Sequence, residues 1–268
     1  MGIINVTDNS YYAESRCLDG SGNDDLGRIV RRAAQMIGDG ATILDIGACS
    51  TRPGSDPVGE DEECRRLEPA LKAIRQEFPE IAISVDTYWP SVVRRTFDTI
   101  GQFIVNDVTA GEGMYDKSDE MLRTVAELGL PFVAMHMRGN PKTMQSLTEY
   151  DNVTAEVMDY FHQFASKAEA AGVKDWILDP GFGFAKTIEQ NYQMLRELDH
   201  FAELGKRILV GMSRKSMIFR KFGITPEESL PATQVLHYKA LYLGADILRV
   251  HDVAEAVRTV ALYRELEH

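Results

Sequence analysis

Eight short apolar runs, each followed by a stretch of helical periodicity, predict an α/β fold: a single-domain (β/α)8 barrel, or TIM barrel, spanning residues 1–268. Three features carry that expectation. The runs are apolar almost throughout, as parallel strands covered on both faces must be. Helical segments separate them at the spacing of βα units. No linker, repeat or low-complexity segment divides the chain. An open doubly wound sheet is the runner-up, but it usually holds fewer strands in one domain.

The elements follow in order. Met1–Val6 reads as a strand, and Thr7-Asp8-Asn9-Ser10 after it is polar turn chemistry. Residues 24–38 carry Leu26, Val30, Ala33, Ala34 and Ile37 at helical spacing, and lead through Gly38 and Gly40 into the strand Thr42–Gly47. The loop that leaves this βαβ unit, Ala48–Gly54, is rich in hydroxyls and carries Arg52. Helices at 60–77, 90–98, 119–128, 152–171, 189–199 and 230–243 then alternate with strands at 81–86, 103–107, 132–136, 176–179, 208–211 and 247–250. A final helix opens with Asp252 and Glu255 in capping-box spacing, with Val253, Val257, Val260 and Ala261 as its apolar face.

Composition excludes several classes of function. The chain is 44% hydrophobic and 26% charged, enough to bury a large core. Its net charge of -12 argues against a nucleic-acid partner or an anionic membrane surface. No apolar run is long enough for a bilayer and the N-terminus lacks a basic segment before an apolar one, so the expected location is cytoplasmic. Cys17, Cys49 and Cys64 are odd in number with no CxxC pair, which argues against a disulfide framework or structural zinc site. The Gly111–Gly113 and Gly181–Gly183 segments complete no dinucleotide fingerprint.

In a barrel the loops gather at the C-terminal ends of the strands. Those ends supply Asn5, Asp45, Asp86, Asn106, Asp107, His136, Asp179, Arg214, Lys215, Arg249 and His251. One such residue is ordinary turn chemistry; nearly every strand ending this way points to a binding site. The most informative stretch is Trp176–Lys186, a buried-strand pattern that delivers Asp179 into the loop Pro180-Gly181-Phe182-Gly183-Phe184-Ala185. Asp86, Asn106 and Asp179 suit a flat heterocycle with an amino group and ring N–H, such as a pterin or guanine, with Lys215 bonding its carbonyl. Asn5, Arg52, Arg249 and His251 suit a phosphate or pyrophosphate with its magnesium ion. Ser213–Ser216 reads as the opening of a helical turn, where free N–H groups favour an anion. His136 reads as a packed or substrate-adjacent imidazole rather than a metal ligand, and His162, His200, His237 and His268 as surface or helix residues. Met158, Tyr160, Phe161 and Phe164 read as core or subunit interface.

Together Asn5-Val6-Thr7, Asp45–Gly47 with Ser50–Gly54, Ser84–Thr87, Asn106-Asp107, Met135–Met137, Asp179–Phe184, Ser213–Ser216 and Arg249–Asp252 resemble the dihydropteroate synthases, in order over nearly the whole chain. The resemblance implies a folate-biosynthesis transferase that condenses p-aminobenzoate with 6-hydroxymethyl-7,8-dihydropterin pyrophosphate, giving 7,8-dihydropteroate and pyrophosphate, in a site where sulfonamides compete. It further implies that Asp86, Asn106, Asp179 and Lys215 hold the pterin, with Arg249 stacked against it. Asn5, Arg249 and His251 would hold the pyrophosphate, Asn5 contributing to the Mg2+ site. Thr51, Arg52 and Pro53, with Phe184, Lys215 and Ser216, would form the p-aminobenzoate pocket. Catalysis would fall to Arg52, Asp86, Lys215, Arg249 and His251, in a dissociative reaction whose carbocation is attacked by an already neutral arylamine. A homodimer through the late helices is also implied.

The chain departs from the family pattern in places. The first loop usually reads Thr-Pro-Asp-Ser-Phe but here is Thr7-Asp8-Asn9-Ser10-Tyr11, so Asp8 is expected to substitute for the displaced aspartate. Cys49 stands where glutamate is common, and Ala185 where glycine is usual. Two rivals follow: a pterin-dependent methyltransferase, which has no need of Ser50–Pro53 or Ser213–Ser216, and a non-catalytic pterin-binding paralogue motivated by the first loop.

Overall fold

The computed structural model describes residues 1–6, 26–49, 58–114 and 118–267. Its strands are β1 (Gly2–Asn5), β2 (Ile43–Gly47), β3 (Ala82–Asp86), β4 (Ile104–Asp107), β5 (Phe132–Met135), β6 (Trp176–Asp179), β7 (Leu209–Val210) and β8 (Ile247–Leu248). The helices are α1 (Leu26–Gly38), α2 (Glu60–Glu77), α3 (Pro90–Ile100), α4 (Glu120–Leu128), α5 (Val153–Ala171), α6 (Ile188–Arg196), α7 (Ser216–Phe222), α8 (Leu230–Tyr242) and α9 (Val253–Glu267).

Strands β1 to β6 form one parallel sheet in sequence order, and β7 pairs with β8. Two bridges join these pieces into a closed ring: Leu178 with Ile208, and Gly2 with Val250. The second is made by Ile3 N–H donating to Val250 O at 3.0 Å and Val250 N–H to Met1 O at 2.9 Å. The fold is therefore the expected (β/α)8 barrel, and the open sheet is excluded because its first and last strands do not meet. β7 and β8 are each shorter than the apolar runs that contain them.

Most helices lie within two residues of their sequence patterns; two rotate differently from the expected face. On α1 the buried residues are Ile29, Ala33 and Met36, while Leu26 is exposed. On α9 they are Val253, Ala256 and Thr259, and Val257 faces outward. The expected capping role of Asp252 is also displaced, because Arg214 takes both its carboxylate oxygens at 2.8 Å. The helical pattern at 189–199 is split into α6 and a 3-10 turn over Leu198–Leu204. Phe161 and Phe164 of α5 are core residues, stacking on Trp176 of β6 and Phe132 of β5 respectively. His237 is a helix residue of α8, one of the two expected placements, and is fully buried there.

Candidate active site

The barrel places Asp86, Asn106, Asp179, Lys215, Arg249 and His251 around one mouth, because each lies near the C-terminal end of a parallel strand or shortly after it, with Asp45 beneath them in the middle of β2. Asp86 pairs with Asn106 and Gly47 in register, so their side chains rise side by side. Asn5 sits at the same level on β1, opposite Gly47. Gly47 is small for a reason: a Cβ there would stand 3.2 Å from the Cβ of Asp86.

Arg249 is the link between the two halves of the mouth. Its Nε donates to Asp45 Oδ2 at 2.6 Å and its Nη2 to Asp86 Oδ2 at 2.8 Å. One guanidinium thus serves two carboxylates. Burial pushes the Asp86 carboxyl up from its ordinary range; Arg249 opposes that shift, while Asp45, Asp107 and Asp179 add to it. Burial also raises Asp179, against the pull of Lys215. Asp107 points away: its oxygens accept from Thr109 N–H, Thr109 Oγ1 and Gly111 N–H, so it shapes the loop after β4.

The loop after β6 is fixed from below. Asp179 Oδ1 accepts the Gly181 N–H at 2.8 Å, and Gly181 adopts φ +72°. A Cβ at Gly181 would lie 2.0 Å from the carbonyl oxygen of His136, so no other residue fits. Lys186 is buried; its Nζ donates to the carbonyls of Gly181 and Phe184, each at 3.1 Å, and lies 2.9 Å from His136 Nδ1. Burial drives both Lys186 and His136 toward their neutral forms; Asp179 opposes the shift of Lys186, while repulsion from neighbouring cations reinforces it on each. The packed reading of His136 holds, and its partner is Lys186. Ala185 adopts φ +48°, the left-handed region, which explains why glycine is usual there; the methyl costs about 1 kcal/mol in backbone strain.

Lys215 reaches across the mouth, its ammonium donating to Phe182 O and lying 4.6 Å from the centre of the Phe184 ring. Burial lowers its pKa to about 8, with Asp179 pulling the other way. Ser216 follows as the first residue of α7. Arg214, by contrast, is unavailable to a ligand: besides Asp252 it bonds the carbonyls of Pro226 and Glu227. The imidazole of His251 is held by the Ser213 hydroxyl at Nδ1, 3.0 Å away. Burial, then Arg249, Arg214, Lys215 and Arg32 push His251 down to about 3, so near neutral pH it is an uncharged imidazole rather than a cation.

Thr51, Arg52 and Pro53 of the second loop, and Asp8, Asn9 and Tyr11 of the first, lie outside the described residues. Cys49 is described, buried beside Tyr88 with Sγ 3.5 Å from the phenol oxygen. Three polar residues carry more weight than the sequence suggested. Asp45 is a fully buried acceptor for several donors. Arg32 of α1 ties that helix to the His251 carbonyl at 3.0 Å. Glu63 of α2 is fully buried, with neither carboxyl oxygen making a hydrogen bond. The mid-strand position of Asp45 was a usable signal; Glu63 offered none.

Known proteins match this arrangement along the whole barrel. A family model described as pterin binding enzyme matches residues 1–251. The dihydropteroate synthase of Escherichia coli strain K12 is 42% identical over 262 residues, covering 97% of this chain and 88% of that one. The Synechocystis dihydropteroate synthase is 40% identical over 256 residues, covering 94% and 84%. Among solved structures, Yersinia pestis dihydropteroate synthase with a sulfonamide drug complex superposes with a TM-score of 0.88 at 34% identity, covering 99% of this chain and 92% of that one. The Thermus thermophilus dihydropteroate synthase in complex with 4-aminobenzoate gives 0.85 at 35% identity, covering 99% and 93%. The chain belongs to the pterin binding enzymes and, among them, to the dihydropteroate synthases.

Proposed function

We propose that the chain joins p-aminobenzoate to 6-hydroxymethyl-7,8-dihydropterin pyrophosphate, releasing 7,8-dihydropteroate and pyrophosphate. The observation that carries this reading is the ring of Asp86, Asn106, Asp179 and Lys215 in one barrel mouth, with Arg249 bonded between Asp45 and Asp86. Three acceptors and one cationic donor match the amino, ring N–H and carbonyl edge of a pterin. Arg249 lies where one face of its guanidinium can meet the heterocycle while its edge stays bonded. His251, with Nδ1 occupied by Ser213, is suited to neutral N–H donation toward the diphosphate through its other nitrogen.

The proposed chemistry is breakage of the C–O bond to pyrophosphate followed by attack of the arylamine on the methylene carbon. Asp86 and Asp179 favour the positive charge left on the pterin, and Arg249 with His251 receives the departing anion. No base is needed before the attack, because an arylamine is neutral near pH 7; the proton that leaves nitrogen as the C–N bond forms passes to the released pyrophosphate or to solvent. Thr51, Arg52, Pro53, Phe184, Lys215 and Ser216 are proposed to line the p-aminobenzoate pocket, the place where a sulfonamide would compete. Among the described residues no group of three His, Cys, Asp or Glu could hold a metal. That fits Mg2+ carried by a diphosphate, which needs few protein ligands, with the Asn5 amide oxygen as the protein's own contribution. The ion would neutralise leaving-group charge.

No helix among the described residues is long and apolar enough to cross a membrane. We place the enzyme in the cytoplasm as a homodimer through α7 to α9, where Phe222, Val235, Tyr242, Leu262 and Leu266 are each more than half exposed. The test of function is incubation with dihydropterin pyrophosphate, p-aminobenzoate and magnesium, following pyrophosphate and dihydropteroate together. Product that depends on both substrates and disappears in Lys215→Ala is the expected result. Pterin binding without product would replace this reading with that of a non-catalytic paralogue.

A further inference from the structure

Asp45 accepts from three side chains beneath the barrel mouth, and it is buried out of reach of a ligand. It is fully buried in the middle of β2. Ser84 Oγ donates to its Oδ1 at 2.6 Å, Arg249 Nε to its Oδ2 at 2.6 Å, and Asn106 Nδ2 straddles both oxygens at 3.2 and 3.3 Å. A carboxylate accepts and does not donate, so the amide of Asn106 can face it only through its nitrogen. The opposite orientation would set a carbonyl dipole against a buried anion. Asp45 therefore decides which end of Asn106 points into the mouth.

From this geometry we infer that Asp45 is a positioning residue that sets the pterin site to read hydrogen-bond donors. With Nδ2 turned to Asp45, Asn106 presents its carbonyl oxygen, and that oxygen joins the carboxylates of Asp86 and Asp179 as a third acceptor. The same carboxylate fixes Arg249 through Nε, which turns the rest of the guanidinium toward Asp86 and the diphosphate side. One buried anion thus orients a specificity group and a leaving-group cation together. The inference rests on the proposed pterin site and adds the residue that gives the site its donor-reading character.

Asp45→Asn is the informative change, since it preserves shape while placing a second amide against Asn106. Either Asn106 turns over, offering N–H to the ligand, or Arg249 loses its Nε partner. Binding of pterin and of lumazine, which carries an oxo group in place of the 2-amino group, is measured by calorimetry for parent and variant. The parent should prefer pterin by at least about tenfold, as a site built to accept N–H discriminates against a ligand lacking it. In the variant the ratio should fall toward one, while the KM for dihydropterin pyrophosphate rises and that for p-aminobenzoate stays unchanged. A folded variant that keeps both the pterin preference and the KM of the parent overturns the inference. A parent that binds no pterin overturns the site reading itself, and the role of Asp45 with it. Should Asp45→Asn fail to fold, amide exchange in the parent decides: the Asn106 side-chain N–H pair should be protected before any ligand is added. Protection that arises only with bound pterin would put those donors on the ligand and refute the assignment.

Discussion

Glu63 gives the sharpest quantitative test of how this barrel tolerates buried acid. It is fully buried on α2 among Thr87, Asp86 and Asp107, and neither oxygen makes a hydrogen bond of normal geometry. Burial pushes its carboxyl from the usual 4.5 up to about 8, so it is protonated at neutral pH. Because the folded-state value is the raised one, its stabilising effect is complete below the unfolded value and disappears as pH climbs through about 8. Each pH unit within that window removes about 1.4 kcal/mol, so the interval from pH 6 to 8 costs about 2–3 kcal/mol from this group alone. Glu63→Gln keeps the shape and removes the ionisation. Urea unfolding of parent and variant between about pH 4 and 8 should show near-equal stability at the acid end and a variant progressively more stable toward the alkaline end. The difference between the curves reports Glu63 together with its coupling to Asp86 and Asp107. Parallel curves would refute the argument, since they would mean that Glu63 ionises in the folded protein at no cost.

Two other outcomes follow. Pterin affinity should rise through neutrality as Asp86, whose carboxyl is held up by burial, gives up its proton, and should fall above about pH 8 as Lys215 loses its own. Calorimetric titration between about pH 5 and 10 checks this, and a flat profile would remove both residues from direct contact with the heterocycle. Substituting Val235→Glu and Leu262→Glu together, at positions 68% and 61% exposed, should convert a particle of twice the 30.0 kDa chain mass into one of chain mass in sedimentation. A parent already sedimenting as a single chain would overturn the proposed dimer.

The barrel was legible because parallel strands are buried on both faces and so cannot hide behind alternation; the run Phe132–Met135 is buried at every position. The strand-end ring was legible for the converse reason, since Asp86, Asn106 and Asp179 interrupt apolar runs where a buried carboxylate or amide needs a partner. Helix rotation was harder to read. α9 carries apolar residues on more than one side, and Val257, Leu262 and Leu266 are apolar without being buried in the chain, so periodicity found Val253 and Val260 on the inner face but also drew in Val257 and Ala261, which face outward. Glu63 shows the limit most plainly: it is one of four consecutive acids, Glu60, Asp61, Glu62 and Glu63, of which it alone is buried. Charge type says nothing about which of four neighbours a helix will turn inward.

The charge layout of the mouth bears on the proposed reaction itself. Asp45, Asp86, Asp179 and Glu63 crowd one side, while Arg249, Arg214 and Arg32 surround His251 on the other. Each side of the mouth gathers like charge: burial pushes Asp86 and Glu63 toward their protonated forms, and burial with the surrounding cations pushes His251 toward its neutral form. A ligand that is cationic at one end and anionic at the other offsets both at once, and it does so most when its bond has broken and the charges are fully separated. The raised Asp86 and the depressed His251 are then two signs of one polarised cavity, with Arg249 bonded at its boundary. On this view the same residues that gather like charge on either side supply the stabilisation of the separated charges.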